Sequence, residues 1–127
     1  MRLSAIPGDG TIMMSTGNAR VDQLSAVLST PPMDLTFIDA DDRVAFFTDG
    51  PDRIFARSNA IIGRKVQHCH PPTSVDVVDR IFKGFKSGNQ DVAVFWIDLH
   101  RKFVHIRYFA LRGEGGKYLG TVELKRT

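Results

Sequence analysis

The chain has 127 residues, of which 43% are hydrophobic and 24% are charged. This size and composition are typical of one globular domain with one core, and the chain is too short for two such domains. No window approaches the run of about 18 uncharged apolar residues that a membrane span requires, so we predict no membrane association. Pro7 and Gly8 interrupt the N-terminus before the apolar stretch of a signal peptide could form.

Charge and cysteine content narrow the class of protein further. The formal net charge is +3, but the basic residues between 80 and 126 are dispersed, and acidic residues are concentrated between 34 and 52. Because no compact basic block or basic and aromatic motif is present, the sequence indicates no nucleic-acid binding. Cys69 is the only cysteine and cannot form an internal disulfide, which favours a reducing compartment. We therefore expect a cytoplasmic protein.

The first third of the sequence divides into a leader and one helix. Residues 1–17 are rich in Gly, Ser, Thr and Met without a sustained period, and they predict a flexible leader. From residue 18, apolar side chains recur at the spacing of one helix face, until Pro31 and Pro32 end the pattern. The sequence thus predicts an amphipathic flanking helix over residues 18–30. Its apolar stripe consists of Val21, Leu24, Val27 and Leu28.

The remainder alternates strands with helices and predicts an α+β fold in a single domain over residues 18–127. β-rich segments bounded by Asp and Gly clusters predict strands, and short helical turns are expected between residues 51 and 63. Apolar residues at helix spacing predict one longer helix from Thr73 to Gly88. The predicted strands cover residues 34–39, 43–47, 91–99, 103–112 and 118–124.

The predicted strand at 103–112 carries apolar bulk on both of its faces. Side chains alternate along a strand, so Val104, Ile106 and Tyr108 share one face, which is the better candidate for the core. The opposite face would be exposed in a simple monomer, and we expect the flanking helix of the same chain or of a second copy to cover it. This predicts a homodimer. The predicted dimer face consists of Val21, Leu24, Leu28, Phe103, Phe109 and Leu111.

Three potential ligand side chains stand together in His68, Cys69 and His70, before Pro71 and Pro72. Imidazole and thiolate groups are donors for haem iron and for other metals. In an extended segment, however, Cys69 would point away from both histidines, and few other ligands are available for a closed zinc site. The alternative is that Cys69 is a small buried side chain and that His70 anchors the loop by hydrogen bonding.

Several segments together resemble a PAS sensory domain. They are Asp39 to Val44 in the first turn, Ile62-Gly63-Arg64 before the longer helix, and Arg112 to Gly120 in the last hairpin. Residues 67–72, with the sequence Gln-His-Cys-His-Pro-Pro, and residues 106–109, with the sequence Ile-Arg-Tyr-Phe, resemble more closely the C-terminal PAS-like domain of an uncharacterised prokaryotic family. In that family the domain often follows a hemerythrin-like region. The resemblance covers residues 15–126.

The resemblance implies a fold and a general function. It implies a five-stranded antiparallel sheet with short helices and one longer helix on one face, and a cavity between them that holds a small ligand or cofactor. It also implies homodimerisation and relay of a signal to an effector domain or protein. The candidate ligand-binding residues are Phe55, Ile62, His68, Cys69, His70, Trp96 and Tyr108.

The identity of the ligand stays open at this point. Haem is one possibility, with His70 as the axial ligand because it lies nearest the longer helix. Flavin is disfavoured, because Val66 follows Gly63-Arg64-Lys65 where the light-sensing PAS subfamily has its reactive cysteine. A small enzyme with Cys69 as nucleophile and a ligand-free interaction domain are the further alternatives, and no catalytic motif supports an enzyme.

Overall fold

The computed structural model describes residues 10–48, 59–69, 72–99 and 101–127. Its chain divides into two compact units, which comprise residues 1–32 and 33–127. The predicted flanking helix lies within the first of these units, and the single domain predicted over residues 18–127 stays a prediction. None of the helices in the described ranges is long and apolar enough to cross a bilayer.

The first unit contains a short hairpin followed by a helix. Strand β1 (Thr11–Met14) pairs antiparallel with strand β2 (Gly17–Arg20), and helix α1 (Val21–Ser29) follows directly. The prediction of a flexible leader is wrong for residues 11–17, because Gly17 adopts φ 140° and lets the chain reverse after Met14. The helix also begins three residues later than expected, because residues 18–20 are paired within β2.

The second unit contains a five-stranded antiparallel sheet with α2 as its longer helix. The strands are β3 (Asp34–Asp39), β4 (Val44–Phe47), β5 (Val92–Leu99), β6 (Lys102–Arg112) and β7 (Tyr118–Arg126). They lie in the order β4-β3-β7-β6-β5. Helix α2 (Pro72–Ser87) precedes β5, and short 3-10 helices cover Asn59–Ile61, Val66–Cys69 and Glu114–Gly116. The predicted α+β class, the strands and the five-stranded antiparallel sheet with one longer helix are confirmed.

The hydrophobic core lies between α2 and one face of the sheet, which we call the inner face. Val104, Ile106 and Tyr108 of β6 are buried there, as the alternation of side chains predicts. Phe82 of α2 packs edge-on against Tyr108, with ring centroids 5.8 Å apart. The core residues of α2 are Val78, Ile81, Phe82 and Phe85.

The turn between β3 and β4 fixes the loop that precedes α2. The Asp39 carboxylate accepts hydrogen bonds from the backbone N–H groups of Asp41 (2.9 Å) and Arg43 (3.0 Å), which is the usual function of Asp in a turn. Asp42 adopts φ 65° and pairs with Lys86 of α2 at 2.8 Å. A β-bridge between Arg43 and Lys65 then holds the segment that leads into the 3-10 helix Val66–Cys69.

Candidate functional site

Five polar side chains are buried on the inner face at the β3 and β7 side of the sheet. The Thr121 hydroxyl is bonded to Tyr118 OH, and the other four residues form a set that we call the polar floor: Asp34, Thr36, Glu123 and Lys125. Each is less than a tenth exposed. The inner face thus has an apolar half on β5 and β6 and a largely polar half on β3 and β7, where Ile38 is the buried apolar residue of β3.

The pairing of the strands brings the polar floor together. In the antiparallel register Asp34 lies opposite Lys125, and Thr36 lies opposite Glu123. Directly opposed residues of neighbouring strands present their side chains on the same face, with Cβ atoms about 5 Å apart. Lys125 Nζ and Glu123 Oε1 form an ion pair at 2.6 Å, and both side chains are almost fully buried.

The Thr36 hydroxyl is the most informative atom of the polar floor. Thr36 is 1% exposed, and its Oγ1 has no hydrogen-bond partner among the residues that the structure describes. Burying a hydroxyl group without a partner costs about 1–3 kcal/mol, so such groups in folded proteins call for an explanation. A bound molecule that exchanges a hydrogen bond with Thr36 would supply one.

Tyr108 connects the polar floor with the hydrophobic core. It lies opposite Glu123 in the pairing of β6 with β7, and it is fully buried. Ile106 lies opposite Lys125 in the same way. The prediction that Tyr108 faces the interior is therefore correct, and its position beside Glu123 places an aromatic ring at the border between the two halves of the inner face.

The opposite, outer face of the sheet carries a histidine between arginines. His105 stacks on Trp96 with ring centroids 4.3 Å apart, and its Nδ1 accepts a hydrogen bond from Arg126 Nε at 3.2 Å. Burial lowers the pKa of His105 below the ordinary histidine value, and the positive charges of Arg126 and Arg107 lower this pKa further. The ring is therefore kept neutral near pH 7 and can accept the hydrogen bond.

The described part of the predicted His-Cys-His site does not form a metal centre. His68 and Cys69 lie in the 3-10 helix Val66–Cys69, and not in the extended segment that the sequence suggested. His68 is exposed, whereas Cys69 is half-buried and its Sγ lies 3.7 Å from the Lys65 carbonyl oxygen as a weak donor. In the described ranges, no three His, Cys, Asp or Glu side chains are grouped so that they could hold a metal ion. His70 lies outside the described residues.

Two other predicted ligand-binding residues are on the surface. Ile62 is 44% exposed in the turn after the 3-10 helix Asn59–Ile61. Trp96 is 56% exposed, and its pairing with His105 puts it on the outer face, opposite Tyr108. Trp96 therefore does not face the interior, which corrects its assignment to an internal cavity, whereas the assignment of Ile62 stays a prediction. Alternation along β5 turns Trp96 outward while its neighbours Phe95 and Ile97 turn towards the core. Phe55 lies outside the described residues.

The residues of the predicted dimer face differ in exposure. Phe103 is 64% exposed, and its ring packs edge-on against Trp96 with centroids 6.3 Å apart. Phe109 and Leu111 of β6 are half-buried on the outer face, as the alternation predicts. The residues of the helix stripe, Val21, Leu24 and Leu28, are also half-buried.

The sequence did not predict the polar floor, because in β3 and β7 the hydrophobic pattern assigns the wrong face of the strand to the core. In β3, Leu35 and Phe37 are the apolar residues of one face, and hydrophobicity would turn them inward. The structure instead buries Asp34 and Thr36. The signal that could have revealed this is the repetition of polar residues at every second position in both strands, together with their antiparallel pairing.

Comparisons with known proteins agree with this fold. A model of the PAS domain family matches residues 24–125. The crystal structure of a C-terminal domain from Streptococcus mutans is 28% identical, covers 93% of this chain and 92% of its own, and superposes with a TM-score of 0.81. No curated protein matches the chain.

Two more distant structures share the fold. The PAS domain of a protein from Colwellia psychrerythraea is 16% identical, with 84% of this chain and 94% of that chain covered and a TM-score of 0.65. A sensory box sensor histidine kinase from Vibrio cholerae is 12% identical, with 81% and 86% covered and a TM-score of 0.57. Because the family model spans most of the sequence, the chain belongs to the PAS domain family.

Proposed function

We propose that this chain is a cytoplasmic sensory module that binds a small polar molecule over the polar floor and relays its presence through a homodimer to an effector domain or protein. The observation that supports the proposal is the burial of an ion pair beside a threonine hydroxyl that has no partner in the described part of the chain. The family and its solved relatives, which include a sensor histidine kinase, support the sensory role.

The energetics of the polar floor favour binding over a purely structural role. Replacing a buried ion pair by well-packed apolar residues is often neutral or stabilising, so such a pair contributes little to the stability of a core. The adjacent half of the same face is packed with apolar residues such as Val104 and Ile106. A sheet that needed only stability could have continued that packing across β3 and β7.

The end of β7 offers a route by which binding would be transmitted across the sheet. Lys125 is paired on the inner face with Glu123, while the next residue, Arg126, donates to His105 on the outer face. A ligand that competes for Glu123 would shift the position of Lys125 and, with it, the contact of Arg126. Such a ligand acts by favouring one of two packings of this strand end, in proportion to its difference in affinity for them.

The proposed role is that of a binding module, not an enzyme. The thiol of Cys69 is directed at the Lys65 carbonyl oxygen, and its neighbour His68 is exposed in the same 3-10 turn. A catalytic cysteine requires a base within hydrogen-bond reach that activates it as a thiolate. Among the described residues, the group within reach of the Cys69 thiol is a backbone carbonyl and not such a base.

Native mass spectrometry of the purified chain with a panel of amino acids, nucleosides and small dicarboxylates tests the proposal. We expect at least one class to bind one molecule per chain and the Thr36→Val variant to bind it at least tenfold more weakly, because the methyl group cannot exchange a hydrogen bond. Thr121→Val is the matched control, since the Thr121 hydroxyl is already bonded to Tyr118 OH at 2.6 Å. Binding that is equal in wild type and Thr36→Val, or absent for every class, would contradict the proposal.

A further inference from the structure

Strand β5 forms one edge of the sheet and presents unpaired backbone groups there. It has eight residues and a strand neighbour, β6, on only one of its sides in the described part of the chain. The Ala110 N–H donates to the Asp91 carbonyl at 2.9 Å. In an antiparallel pair, the N–H and C=O groups of successive residues point alternately towards the partner strand and away from it. The backbone groups of the odd-numbered residues of β5 are therefore bonded to β6, and those of the even-numbered residues point to the free edge.

The even-numbered residues of β5 confirm this alternation. The Val92 carbonyl accepts a hydrogen bond from the Gln90 side chain at 3.0 Å, which is possible only if this carbonyl points away from β6. The N–H and C=O groups of Val94 and Trp96 therefore point to the same edge, and no described residue bonds to them. They form a ready template for another strand.

The side chains along this edge are apolar on both faces up to Asp98, which lies near the end of the strand. On the outer face Val94 is 52% exposed and Trp96 is 56% exposed. On the inner face Phe95 and Ile97 are half-buried against the core. The opposite edge differs, because β4 has only four residues, and short edge strands are one of the ways in which proteins avoid edge pairing. Strand β5 has eight residues and contains no proline or lysine, and its one charged residue, Asp98, lies near its end.

We infer that β5 pairs antiparallel with β5 of a second copy of this chain, so that the two sheets become continuous across a two-fold axis. A register that places Val94 of one copy opposite Trp96 of the other joins edge-pointing residues to edge-pointing residues. The outer face then gains two pairs of a β-branched and an aromatic side chain, which are favourable cross-strand neighbours.

The side chains of β5 also fit a second copy of the same strand. Its one charged residue, the exposed Asp98, lies opposite Val92 of the other copy in this register, so the two-fold arrangement opposes no like charges. Asp91, which precedes the strand, is already paired with Arg112 at 3.0 Å. The strand is therefore complementary to itself in backbone bonding and apolar side chains, which favours a second copy over an unrelated strand as the partner.

This inference rests on the homodimer part of the proposed function, and the binding of a small molecule is independent of it. Sedimentation velocity from low to high micromolar concentration, with Val94→Pro as the test variant, measures dimerisation without depending on the binding of a small molecule. Proline removes the N–H group that points to the free edge and leaves the bonds between β5 and β6 in place. Val94→Thr is the matched control, because threonine retains the N–H group and suits a strand.

We expect wild type and Val94→Thr to be dimers and Val94→Pro to dissociate at least tenfold more readily. Circular dichroism checks the fold of each variant. If Val94→Pro does not fold, Val94→Glu is the test variant, since it keeps the N–H group and places a carboxylate opposite the negative face of the Trp96 ring of the other copy. A folded Val94→Pro, or in its place Val94→Glu, that dimerises like wild type would overturn the inference.

Two further outcomes locate the failure. If Val94→Pro stays dimeric while Phe109→Ser becomes monomeric, the outer face makes the contact: the edge inference is overturned and the homodimer of the proposed function stands. A wild-type chain that is monomeric throughout overturns both, while ligand binding over the polar floor is still measured separately by mass spectrometry.

Discussion

At the scale of single residues, the buried pair of Glu123 and Lys125 has the largest effect on stability that we expect from any ion pair described here. Removing one partner leaves the other charge buried without compensation, and this typically costs about 3–5 kcal/mol. We therefore predict that Lys125→Met lowers the free energy of unfolding by about that amount in urea denaturation. Adding Glu123→Gln to this variant should recover part of the loss, because it removes the uncompensated charge.

The surface pair of Lys83 and Asp79 provides the matched control. Its atoms lie 3.1 Å apart on the exposed face of α2, where the Lys83 side chain is 76% exposed. Exposed pairs of this kind contribute about 0.3–0.5 kcal/mol. A loss in Lys125→Met no greater than that in Lys83→Met would show that Lys125 is solvated in the folded protein.

His105 should titrate below the ordinary histidine range, and Trp96 reports it. Burial and the charges of Arg126 and Arg107 lower its pKa, so the folded state binds its proton less readily than the unfolded state. The resulting contribution to stability is complete above the unfolded pKa of about 6.5 and is lost as the pH falls through the lower folded pKa. Trp96 is the only tryptophan and stacks on His105. We therefore predict that its fluorescence falls as the pH is lowered, with a midpoint below the ordinary histidine pKa of about 6.5.

The control for this titration is His105→Gln, which retains a side chain that can accept a hydrogen bond from Arg126 but does not titrate. Its Trp96 fluorescence should be flat over the same range. A wild-type midpoint above the ordinary histidine value would contradict the burial of the ring between the two arginines.

At the scale of elements, the close approach of β3 and β7 depends on Gly120. A Cβ atom at this position would lie 2.4 Å from the Ile38 carbonyl oxygen, and the backbone has φ +140°. We predict that Gly120→Ala lowers the free energy of unfolding by more than about 2 kcal/mol, because strain in this region and a backbone clash act together.

The variant Gly88→Ala distinguishes the effect of backbone strain from that of the backbone clash. Gly88 also has a positive φ, +82°, but a Cβ atom there would meet nothing within 4 Å. Gly88→Ala should therefore cost only about 1 kcal/mol, from backbone conformation alone. Equal losses in the two variants, measured by urea denaturation, would show that the contact with Ile38 does not constrain β7.

The elements also show what the sequence could and could not predict. Strands with alternating apolar residues and the helix with a strong apolar stripe were predicted correctly, because burial on one face leaves a periodic signal. The hairpin at residues 11–20 was missed, because its residues are mostly exposed and carry no such signal. The 3-10 turn at His68 and Cys69 was also missed, and this error made the two side chains look like neighbours on alternate sides of a strand.

At the scale of the whole molecule, the family and the fold could be predicted but the candidate site could not. The resemblance located the sheet and the longer helix and implied a sensory role, and the family match confirms that the chain is a PAS domain. The polar floor depends on which residues of β3 lie opposite which residues of β7, and pairing between strands so distant along the chain is not visible in either strand alone. Hydrophobicity would have placed Leu35 and Phe37 inside.

If the polar floor is retained for binding, its unpartnered hydroxyl should contribute nothing to stability in the absence of a ligand. The decisive measurement is the free energy of unfolding of Thr36→Val in urea, without added ligand. Because the Thr36 hydroxyl has no partner among the described residues, we predict a stability within about 0.5 kcal/mol of wild type or above it. Thr121→Val, which breaks a formed hydrogen bond, should lose about 1 kcal/mol. A loss in Thr36→Val equal to that in Thr121→Val would show instead that the Thr36 hydroxyl stabilises the fold and is not kept for binding.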